Sequence, residues 1–492
     1  MRSISIMYDS LNRNMLSPYG NTETITPNFQ RLARHSVKFD TFYAGSLPCM
    51  PARRELHTGR YNFLHRSWGP IEPFDISAFQ LLSANGVYTH FISDHAHYWQ
   101  EGGLTYHNRY SSYEFIRGQE GDLCVGDSHG YGGTMDLHRQ DGINRKKFVK
   151  EEDFPHARCY KSALEFLERN KDNGNWHLHL EFFDPHEPFT VPGRFLEMYG
   201  LNPDDSQDWP AYDTVAHQQE DESYRLHYCA LLTMCDEYLG KLLDYMDANG
   251  MWDDTLLTVN TDHGYLLGEH GYYAKNYMPM YEEIARLPFF LWNPAAGNKN
   301  RTCGQLAQTI DIAPTLLDYH HVPIPREMQG KSLLPVAASG ARIHDFVLFG
   351  EFGKHVNITD GRFVYMRAGR NENLNEYTMM PTHIFTPFSV EELKKTDKEL
   401  TTCFQFTQGV PVMKIPATTA NAPDNSCYWY DRHMKYGDLL FDLHIDPCQK
   451  TPVCDIGVET EMIGHLIEEL KKSDSPIEQY DRLGLQLQRK DV

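Results

Sequence analysis

Apolar and polar positions along the first two thirds of the chain predict strands that are separated by helices. The segments 3–9, 88–93, 177–183 and 256–262 carry the apolar runs and alternations of strands, whereas 223–248 repeats apolar residues at helical spacing. Strands that alternate with helices form a largely parallel sheet covered by helices on both faces. The pattern therefore predicts an α/β fold.

Shorter segments of the same region continue this alternation. They are helices over 21–36, 75–82 and 163–171, and strands over 39–44 and 289–292. Residues 100–155, in contrast, are rich in Gly, Asp, Tyr and Arg and show no clear period. Long irregular insertions of this kind are usually functional or mobile, so this one could build the substrate pocket.

The pattern changes after about residue 342. Strands are predicted over 346–352, 362–366 and 439–443, with little helix between them until 459–472. A chain of 492 residues is too long for one ordinary core. We therefore expect a large α/β domain over 1–342 and a smaller α+β domain over 343–492 that carries an antiparallel sheet.

The charge balance excludes several kinds of partner. The 67 acidic residues outnumber the 46 Lys and Arg residues, and the formal net charge is −21. Nucleic acid and an anionic membrane are therefore not expected as partners, and an anionic substrate would need local cations or a metal. No segment is long and apolar enough to cross a bilayer, and the ten cysteines include no Cys-x-x-Cys pair. We expect a soluble, cytoplasmic protein with reduced cysteines.

Three polar residues stand where predicted strands end. Asp9, Asp262 and His263 follow strands, and Cys49 begins the helix after another. Ligands of open α/β sheets bind beyond the carboxyl ends of the strands, so these residues could converge on a metal. Carboxylates suit Ca²⁺ or Mg²⁺, whereas an imidazole shifts the preference towards Mn²⁺ or Zn²⁺. Taken singly, an Asp at a strand end is more often a cap and a His more often a hydrogen-bonded structural residue, so both interpretations stay open here.

Cys49 lies in a short and specific pattern. Pro51 suits the first turn of a helix, which places Cys49 at the positive N-terminal end. A lone cysteine there is more often a buried packing residue. The spacing Cys-x-Pro-x-Arg over 49–53, followed by Leu56 and Thr58, resembles the signature of type I sulfatases of the alkaline phosphatase superfamily. In that family the cysteine is oxidised to formylglycine, an aldehyde whose hydrate is the nucleophile.

Further segments share this resemblance over nearly the whole chain. Residues 261–271 with Lys275 look like the second sulfatase signature, and 184–189 look like the Pro-His-x-Pro element of the family. Other landmarks are 286–288, 311–318, 330–335 and 440–447. Only 100–155 and 370–435 have no counterpart. The resemblance implies an alkaline phosphatase-like fold, a mostly parallel sheet between helices followed by a smaller C-terminal domain.

The resemblance also implies a ligand set and a division of roles. One divalent metal, with Ca²⁺ as first choice and Mn²⁺, Mg²⁺ or Zn²⁺ as alternatives, would be held by Asp9, Cys49, Asp262 and His263. The expected roles are orientation of the hydrate by Arg53, sulfate binding by Lys275 and His186, protonation of the leaving group by His186, deprotonation of the sulfated intermediate by His97, and a further sulfate contact by His95.

Three features of the sequence depart from the usual family pattern. Ser10 follows Asp9 where most sulfatases have a second aspartate, which removes one negative charge from the metal site. His263 stands where many members have asparagine. His95 and His97 replace the usual Lys-x-His spacing. The combination of Asp9-Ser10 with Asp262-His263 resembles the branch of phosphonate monoester hydrolases and choline sulfatases.

Three functions follow from these residues, in decreasing order of support. The first is a metal-dependent sulfatase that uses formylglycine from Cys49 on a sulfated carbohydrate or small molecule. The second is a phosphonate monoester or phosphodiester hydrolase on the same scaffold, since fold and nucleophile serve both anions. The third is a sulfatase-like binding protein without catalysis. A formylglycine-generating maturase is an implied partner, and a homo-oligomer is left open.

Overall fold

Strands and helices alternate along the chain in the computed structural model. The structure describes residues 1–492 apart from 135, 206–207, 213, 216–220, 277, 372, 418–433 and 487–492. The strands are β1 (Arg2–Tyr8), β2 (Val37–Phe39), β3 (Phe42–Tyr43), β4 (Ser46–Leu47), β5 (Tyr88–Ser93), β6 (Ser112–Phe115), β7 (Trp176–Phe182), β8 (Thr255–Thr261), β9 (Leu266–Leu267), β10 (Tyr273–Ala274), β11 (Phe289–Trp292), β12 (Arg301–Cys303), β13 (Ala307–Gln308), β14 (Val347–Glu351), β15 (Val356–Thr359), β16 (Phe363–Arg367), β17 (Asn375–Thr378), β18 (Met413–Pro416) and β19 (Leu439–Asp442).

The helices lie mainly between the strands of the first two thirds. They are α1 (Pro27–His35), α2 (Cys49–Thr58), α3 (Ala78–Ala84), α4 (Leu137–Asn144), α5 (Pro155–Asn170), α6 (Gly193–Glu197), α7 (Asp221–Ala248), α8 (Glu282–Ala285), α9 (Ile312–Tyr319), α10 (Leu334–Ser339), α11 (Val390–Lys395), α12 (Ile456–Lys472) and α13 (Ile477–Arg482). None of the helices that the structure describes combines the length and apolar character needed to cross a bilayer.

The main sheet has eight strands in the order β12-β2-β11-β8-β1-β7-β5-β6. β1 lies between β7 and β8 and pairs with both in parallel, so that Tyr8 stands opposite Phe182 and Thr261. Among the described strands of this sheet, β11 alone runs antiparallel to its neighbours, and it lies between β2 and β8. The predicted α/β fold with a mostly parallel sheet is confirmed.

Helices cover both faces of this sheet because alternate side chains of its strands enter opposite cores. Ile4 and Ile6 of β1 pack in a layer with α1, α5 and α7, whereas Met7 packs in the layer on the other face with α2, α3 and α9. The apolar stripe predicted for the longest helix lies in the first of these layers. It is therefore packing surface, as expected.

The second sheet belongs mainly to the C-terminal third. Its order is β19-β16-β15-β14-β4, and all neighbours are antiparallel except β4 and β14. Helices α12 and α13 cover it with a separate apolar core. Strand β4 ends at Leu47, opposite Glu351, two residues before α2 begins. The smaller α+β region is present, and the exact boundary between 342 and 343 stays a prediction.

Several local expectations were wrong in detail. The helix expected over 21–36 begins only at Pro27, because the proline occupies its first position. The strand expected over 39–44 is divided by Asp40 and Thr41. Residues 100–155 are not wholly irregular, since they contain α4 and also β6, which pairs with β5 at the edge of the main sheet. Short edge strands with polar residues give little periodic pattern.

Candidate active site

The ends of β1 and β8 bring the predicted metal-binding residues together. Because these two strands are parallel and in register, Asp9 and Asp262 follow them side by side at one edge of the sheet. Cys49 opens α2 at the same place, and His263 follows Asp262. The side-chain donor atoms of Asp9, Cys49, Asp262 and His263 all lie within 4.8 Å of one another, and all four residues are buried. This is the set expected from the sequence.

His263 presents one ring nitrogen to this cluster. Its Nδ1 donates to the Gly264 carbonyl at 2.8 Å, which leaves a lone pair on Nε2. That Nε2 lies 3.2 Å from Cys49 Sγ, 3.4 Å from Asp262 Oδ2 and 3.8 Å from Asp9 Oδ1. Burial, followed by the charge of Lys275, lowers the pKa of His263 to about 3. The imidazole is therefore neutral, as a metal ligand must be.

Arg53 lies one turn further along α2 and joins three buried carboxylates. Its guanidinium donates to Asp262 Oδ2 at 2.6 Å, to Asp9 Oδ2 at 2.9 Å, and to Glu181 Oε1 at 3.0 and 3.1 Å. Burial would lower the pKa of Arg53, but Glu181, Asp262 and Asp9 raise it well above its usual value. Arg53 therefore holds the carboxylates of the cluster in place. Its expected role towards a formylglycine hydrate stays a prediction.

The charges of the site fit a bound divalent cation. Four buried carboxylates face two buried cations, and these residues are Asp9, Asp262, Glu181, Glu187, Arg53 and Lys275. Burial first, and then the charge of Asp9, raise the pKa of Asp262 to about 8, and a cation bound beside it would favour the ionised form. Two carboxylates and a neutral imidazole are an ordinary donor set for such a cation. The residues present therefore fit the divalent metal that was expected from the sequence.

Lys275 reaches the cluster through Ser10. Its Nζ donates to Ser10 Oγ at 2.9 Å, and Ser10 Oγ donates to Asp9 Oδ1 at 2.8 Å. Ser10 has a φ of 62°, in the left-handed region, where a short polar side chain is better tolerated than a bulky one. Burial lowers the pKa of Lys275, but Glu187 and the site carboxylates raise it overall, so the ammonium is charged. Ser10 thus links the cation of Lys275 to Asp9.

His186 lies in the loop after β7 and points its free nitrogen towards Asp9. Nδ1 donates to the carbonyl oxygen of Glu187, and Nε2 lies 4.0 Å from Asp9 Oδ1. The ring packs against Phe183 with centroids 4.2 Å apart. Burial and Lys275 lower the pKa of His186 well below its usual range. Because Nδ1 is engaged in this hydrogen bond, Nε2 is the nitrogen that can exchange a proton with a substrate.

His95 and His97 lie in the turn after β5. His95 is fully buried, its Nδ1 accepts from the backbone N–H of His97, and its Nε2 lies 3.3 Å from Asp9 Oδ2. His97 Nδ1 donates to Gln100 Oε1 at 2.6 Å, and the two imidazole rings are 4.7 Å apart. Burial lowers the pKa of His97 to about 4, so its Nε2 is free to accept a proton.

The residues named from the sequence thus lie together, all of them buried except the partly exposed His97, and the structure adds one that sequence reasoning missed. Glu181 is fully buried and accepts hydrogen bonds from Arg53, Ser93 and Tyr98. A charged residue within an apolar strand, at the position before Phe182, was the available signal. The roles assigned to the individual site residues remain predictions.

Comparison with known proteins identifies the family. The sulfatase family matches residues 3–322. The arylsulfatase of Clostridium perfringens (strain 13 / Type A) is 24% identical over 442 residues, which cover 80% of this chain and 91% of that protein. A protein solved in complex with its substrate D-glucosamine-2-N,6-O-disulfate has a TM-score of 0.66 at 17% identity and covers 98% of this chain and 99% of its own.

A second solved structure has a related fold. The phosphonate monoester hydrolase of Agrobacterium radiobacter has a TM-score of 0.63 at 18% identity and covers 96% of this chain and 95% of its own. At these identities the solved structures show the fold alone. The match of the sulfatase family, in contrast, spans well over half of the sequence and includes Asp9, Cys49, Asp262 and His263. This chain therefore belongs to the sulfatase family and is a sulfate ester hydrolase.

Proposed function

We propose that this enzyme cleaves sulfate monoesters of a saccharide or small molecule with a formylglycine formed from Cys49. The observation that carries the proposal is the position of Cys49 Sγ, at the start of α2 and within 4.8 Å of donor atoms of Asp9, Asp262 and His263. After oxidation, the oxygen atoms of the hydrated aldehyde would take the place of this sulfur. They would then lie beside the expected metal ligands.

The metal would be held by Asp9, Asp262, His263 and the converted Cys49, with Ca²⁺ as first choice. When bound, it supplies positive charge that stabilises negative charge on the sulfate group and favours ionisation of the nucleophile. Lys275 is charged, so it can pair with a sulfate oxygen. His95 supplies a second contact through its buried Nε2, which lies 3.3 Å from Asp9 Oδ2 and carries a proton that it can donate.

The reaction requires two proton transfers that the histidines can perform. One hydroxyl of the hydrate gives up its proton to solvent and attacks sulfur, and the bond between sulfur and the ester oxygen breaks. The departing alkoxide takes a proton from Nε2 of His186, which has been protonated on substrate binding. The negative charge of bound sulfate raises the pKa of His186, which burial holds low without substrate. His97 then accepts the proton of the second hydroxyl, so that sulfate leaves and the aldehyde re-forms.

A phosphoryl substrate is the second candidate. It is favoured by His263, whose neutral Nε2 completes an Asp-His pair like that of phosphonate monoester hydrolases. The decisive experiment compares kcat/KM for an aryl sulfate and an aryl phosphonate ester with the matured enzyme, using Cys49→Ala as control. We expect faster turnover of the sulfate and no turnover by the control. A phosphonate preference would replace the proposal by the second candidate.

Conversion of Cys49 also implies a partner. A formylglycine-generating maturase must act on this chain, and it must do so before folding is complete, because Cys49 is only 2% exposed in the folded protein. Protein produced in a host without such an activity should keep the thiol and be largely inactive. Co-production with a maturase should restore turnover.

A further inference from the structure

Part of the insertion over 100–155 is fixed directly to the loops that carry the active-site histidines. Gln119 is buried, and its Nε2 donates to Asp94 Oδ2 at 2.9 Å and to Asp184 Oδ1 at 3.2 Å. Asp94 immediately precedes His95, and Asp184 lies two residues before His186. Asp94 Oδ1 in turn accepts from the backbone N–H of Phe183 at 2.7 Å. The insertion is therefore part of the site and not a detached loop.

Glu120 follows Gln119 and lies at the edge of the same site. Its backbone has a φ of 50°, in the left-handed region, and its carbonyl accepts a hydrogen bond from Asn144 Nδ2 at 3.3 Å. The side chain is partly buried and carries no hydrogen bond or ion pair to any residue that the structure describes. A left-handed glutamate whose side chain has no hydrogen-bond partner among the described residues is a candidate for a functional role.

The surroundings of this carboxyl group connect it to the catalytic residues. Its electrostatic neighbours include Glu187, Lys275 and Asp9. Burial and the charge of Glu187 raise the pKa of Glu120 to about 8, so at neutral pH the group can both donate and accept hydrogen bonds. A neutral carboxyl group suits an alcohol hydroxyl better than it suits an ammonium group, which would favour the ionised form.

The other stretch without a family counterpart brings an aromatic ring to the same region. Phe385 is 38% exposed, stands perpendicular to His97 with ring centroids 5.0 Å apart, and stacks on Trp68 at 5.4 Å. Its neighbour Ile384 is fixed by backbone hydrogen bonds to Trp68 and Gly102. An exposed ring in a fixed segment offers an apolar surface to a substrate.

We propose that Glu120 and Phe385 form a recognition rim for the alcohol part of the sulfate ester, in which Glu120 hydrogen-bonds a hydroxyl group and Phe385 packs against a ring. This proposal deepens and rests on the proposed function. It assigns the substrate class to hydroxyl-bearing rings, that is, to a sulfated saccharide. The two residues come from the stretches that the family pattern leaves unassigned, which is where differences in substrate choice are expected.

The test is a double-mutant-type cycle that combines a change in the enzyme with the removal of a hydroxyl group from the substrate. A panel of monosulfated hexosides and their monodeoxy analogues is compared with 4-nitrophenyl sulfate, and kcat/KM is measured for each. The wild type should prefer a hydroxyl-bearing hexoside over one of its deoxy analogues by about 3- to 10-fold, the value of one neutral hydrogen bond. Glu120→Ala should abolish that preference, whereas Glu120→Gln should retain most of it, because an amide also donates and accepts.

The controls separate contact with substrate from effects on folding. Glu101→Gln alters an exposed acidic residue of the same insertion and should leave the ratio of kcat/KM between hexosides and their deoxy analogues unchanged. Phe385→Ala should lower kcat/KM for hexosides about 3- to 10-fold more than the control Tyr131→Ala, which removes a ring that is 63% exposed elsewhere. If Glu120→Ala and Glu120→Gln lose the preference for the hydroxyl-bearing hexoside equally, Glu120 recognises a charge. If Glu120→Ala leaves the ratio of kcat/KM between hexoside and deoxy analogue unchanged, Glu120 does not contact the substrate. Either result overturns the proposed rim.

The same data distinguish the rim from the proposed function. Wild-type turnover of 4-nitrophenyl sulfate tests sulfate ester cleavage without using any hydroxyl contact. If that turnover is present and hexosides show no preference over their deoxy analogues, only the rim is refuted. If the matured wild type cleaves no sulfate ester at all, the proposed function fails first.

Discussion

Replacement of His186 should separate substrates by the quality of their leaving groups. Its Nδ1 is committed to the carbonyl of Glu187, and only Nε2, 4.0 Å from Asp9 Oδ1, faces the reacting region. If this nitrogen protonates the departing alkoxide, its loss matters for an alcohol such as a sugar. A nitrophenolate leaves without a proton. The two kinds of substrate should therefore respond differently to the same variant.

The expected size follows from acid catalysis. Loss of a positioned general acid costs about 10²–10⁴-fold in rate, equivalent to roughly 3–5.5 kcal/mol of transition-state stabilisation. His186→Ala also leaves a cavity beside Phe183, against which the ring packs at 4.2 Å. His186→Gln is the matched variant, because it fills most of this volume but cannot act as the acid. Both variants should slow a hexoside sulfate by the stated factor.

The assay measures kcat for a hexoside sulfate and for 4-nitrophenyl sulfate with wild type and both variants, after thermal unfolding has verified that they fold. We predict a loss on 4-nitrophenyl sulfate that is at least tenfold smaller than the loss on the sugar. Equal losses on both substrates would refute the reasoning. His186 would then bind sulfate or support the loop, and the acid would have to be sought at Lys275, His95 or His97.

Two further predictions concern the metal and the pH dependence of stability. Asp262→Asn removes one of two carboxylates from the donor set and should lower metal affinity by about 100-fold or more, measured as metal content after dialysis; stoichiometric metal with wild-type activity would contradict the assignment. Burial raises the pKa of Glu55 to about 8 despite its hydrogen bonds from Thr309 and Ser46. The folded state then holds this proton more tightly than the unfolded state, so Glu55 contributes its full stabilisation below about pH 4. This contribution to the free energy of unfolding is lost as the pH rises through about 8, and the loss is up to about 5 kcal/mol. Glu55→Gln should reduce the dependence of the free energy of unfolding on pH over this window, measured by urea denaturation. The same pH dependence in the variant and the wild type would disprove this role of Glu55.

The sequence predicted the centre of the site because two simple rules acted together there. The apolar runs of β1 and β8 are long enough to identify as strands, and parallel strands end at one edge of a sheet. Asp9 and Asp262 follow those runs directly, so their meeting required no knowledge of distant contacts. The pattern over 49–53 then fixed which helix begins beside them. The boundary between the two domains remains a prediction.

Other parts of the site depend on contacts that no local pattern encodes. Glu181 meets Arg53 only because β7 lies beside β1. Ser10 and Glu120 adopt left-handed backbone conformations, which cannot be predicted from their residue types. The strands β17 and β18 have four residues each and pair with each other, and so short a pattern was too weak to detect. Within the unassigned stretch over 370–435, residues 418–433 lie outside the described part of the chain.

The central claim is that Cys49 becomes the nucleophile as formylglycine. Its most direct test correlates the converted fraction of Cys49, from peptide mass spectrometry, with aryl sulfatase activity in preparations made with increasing amounts of maturase. We predict activity proportional to the converted fraction, with an intercept near zero and no activity in Cys49→Ala. Full activity in a preparation whose Cys49 retains its thiol would contradict the account.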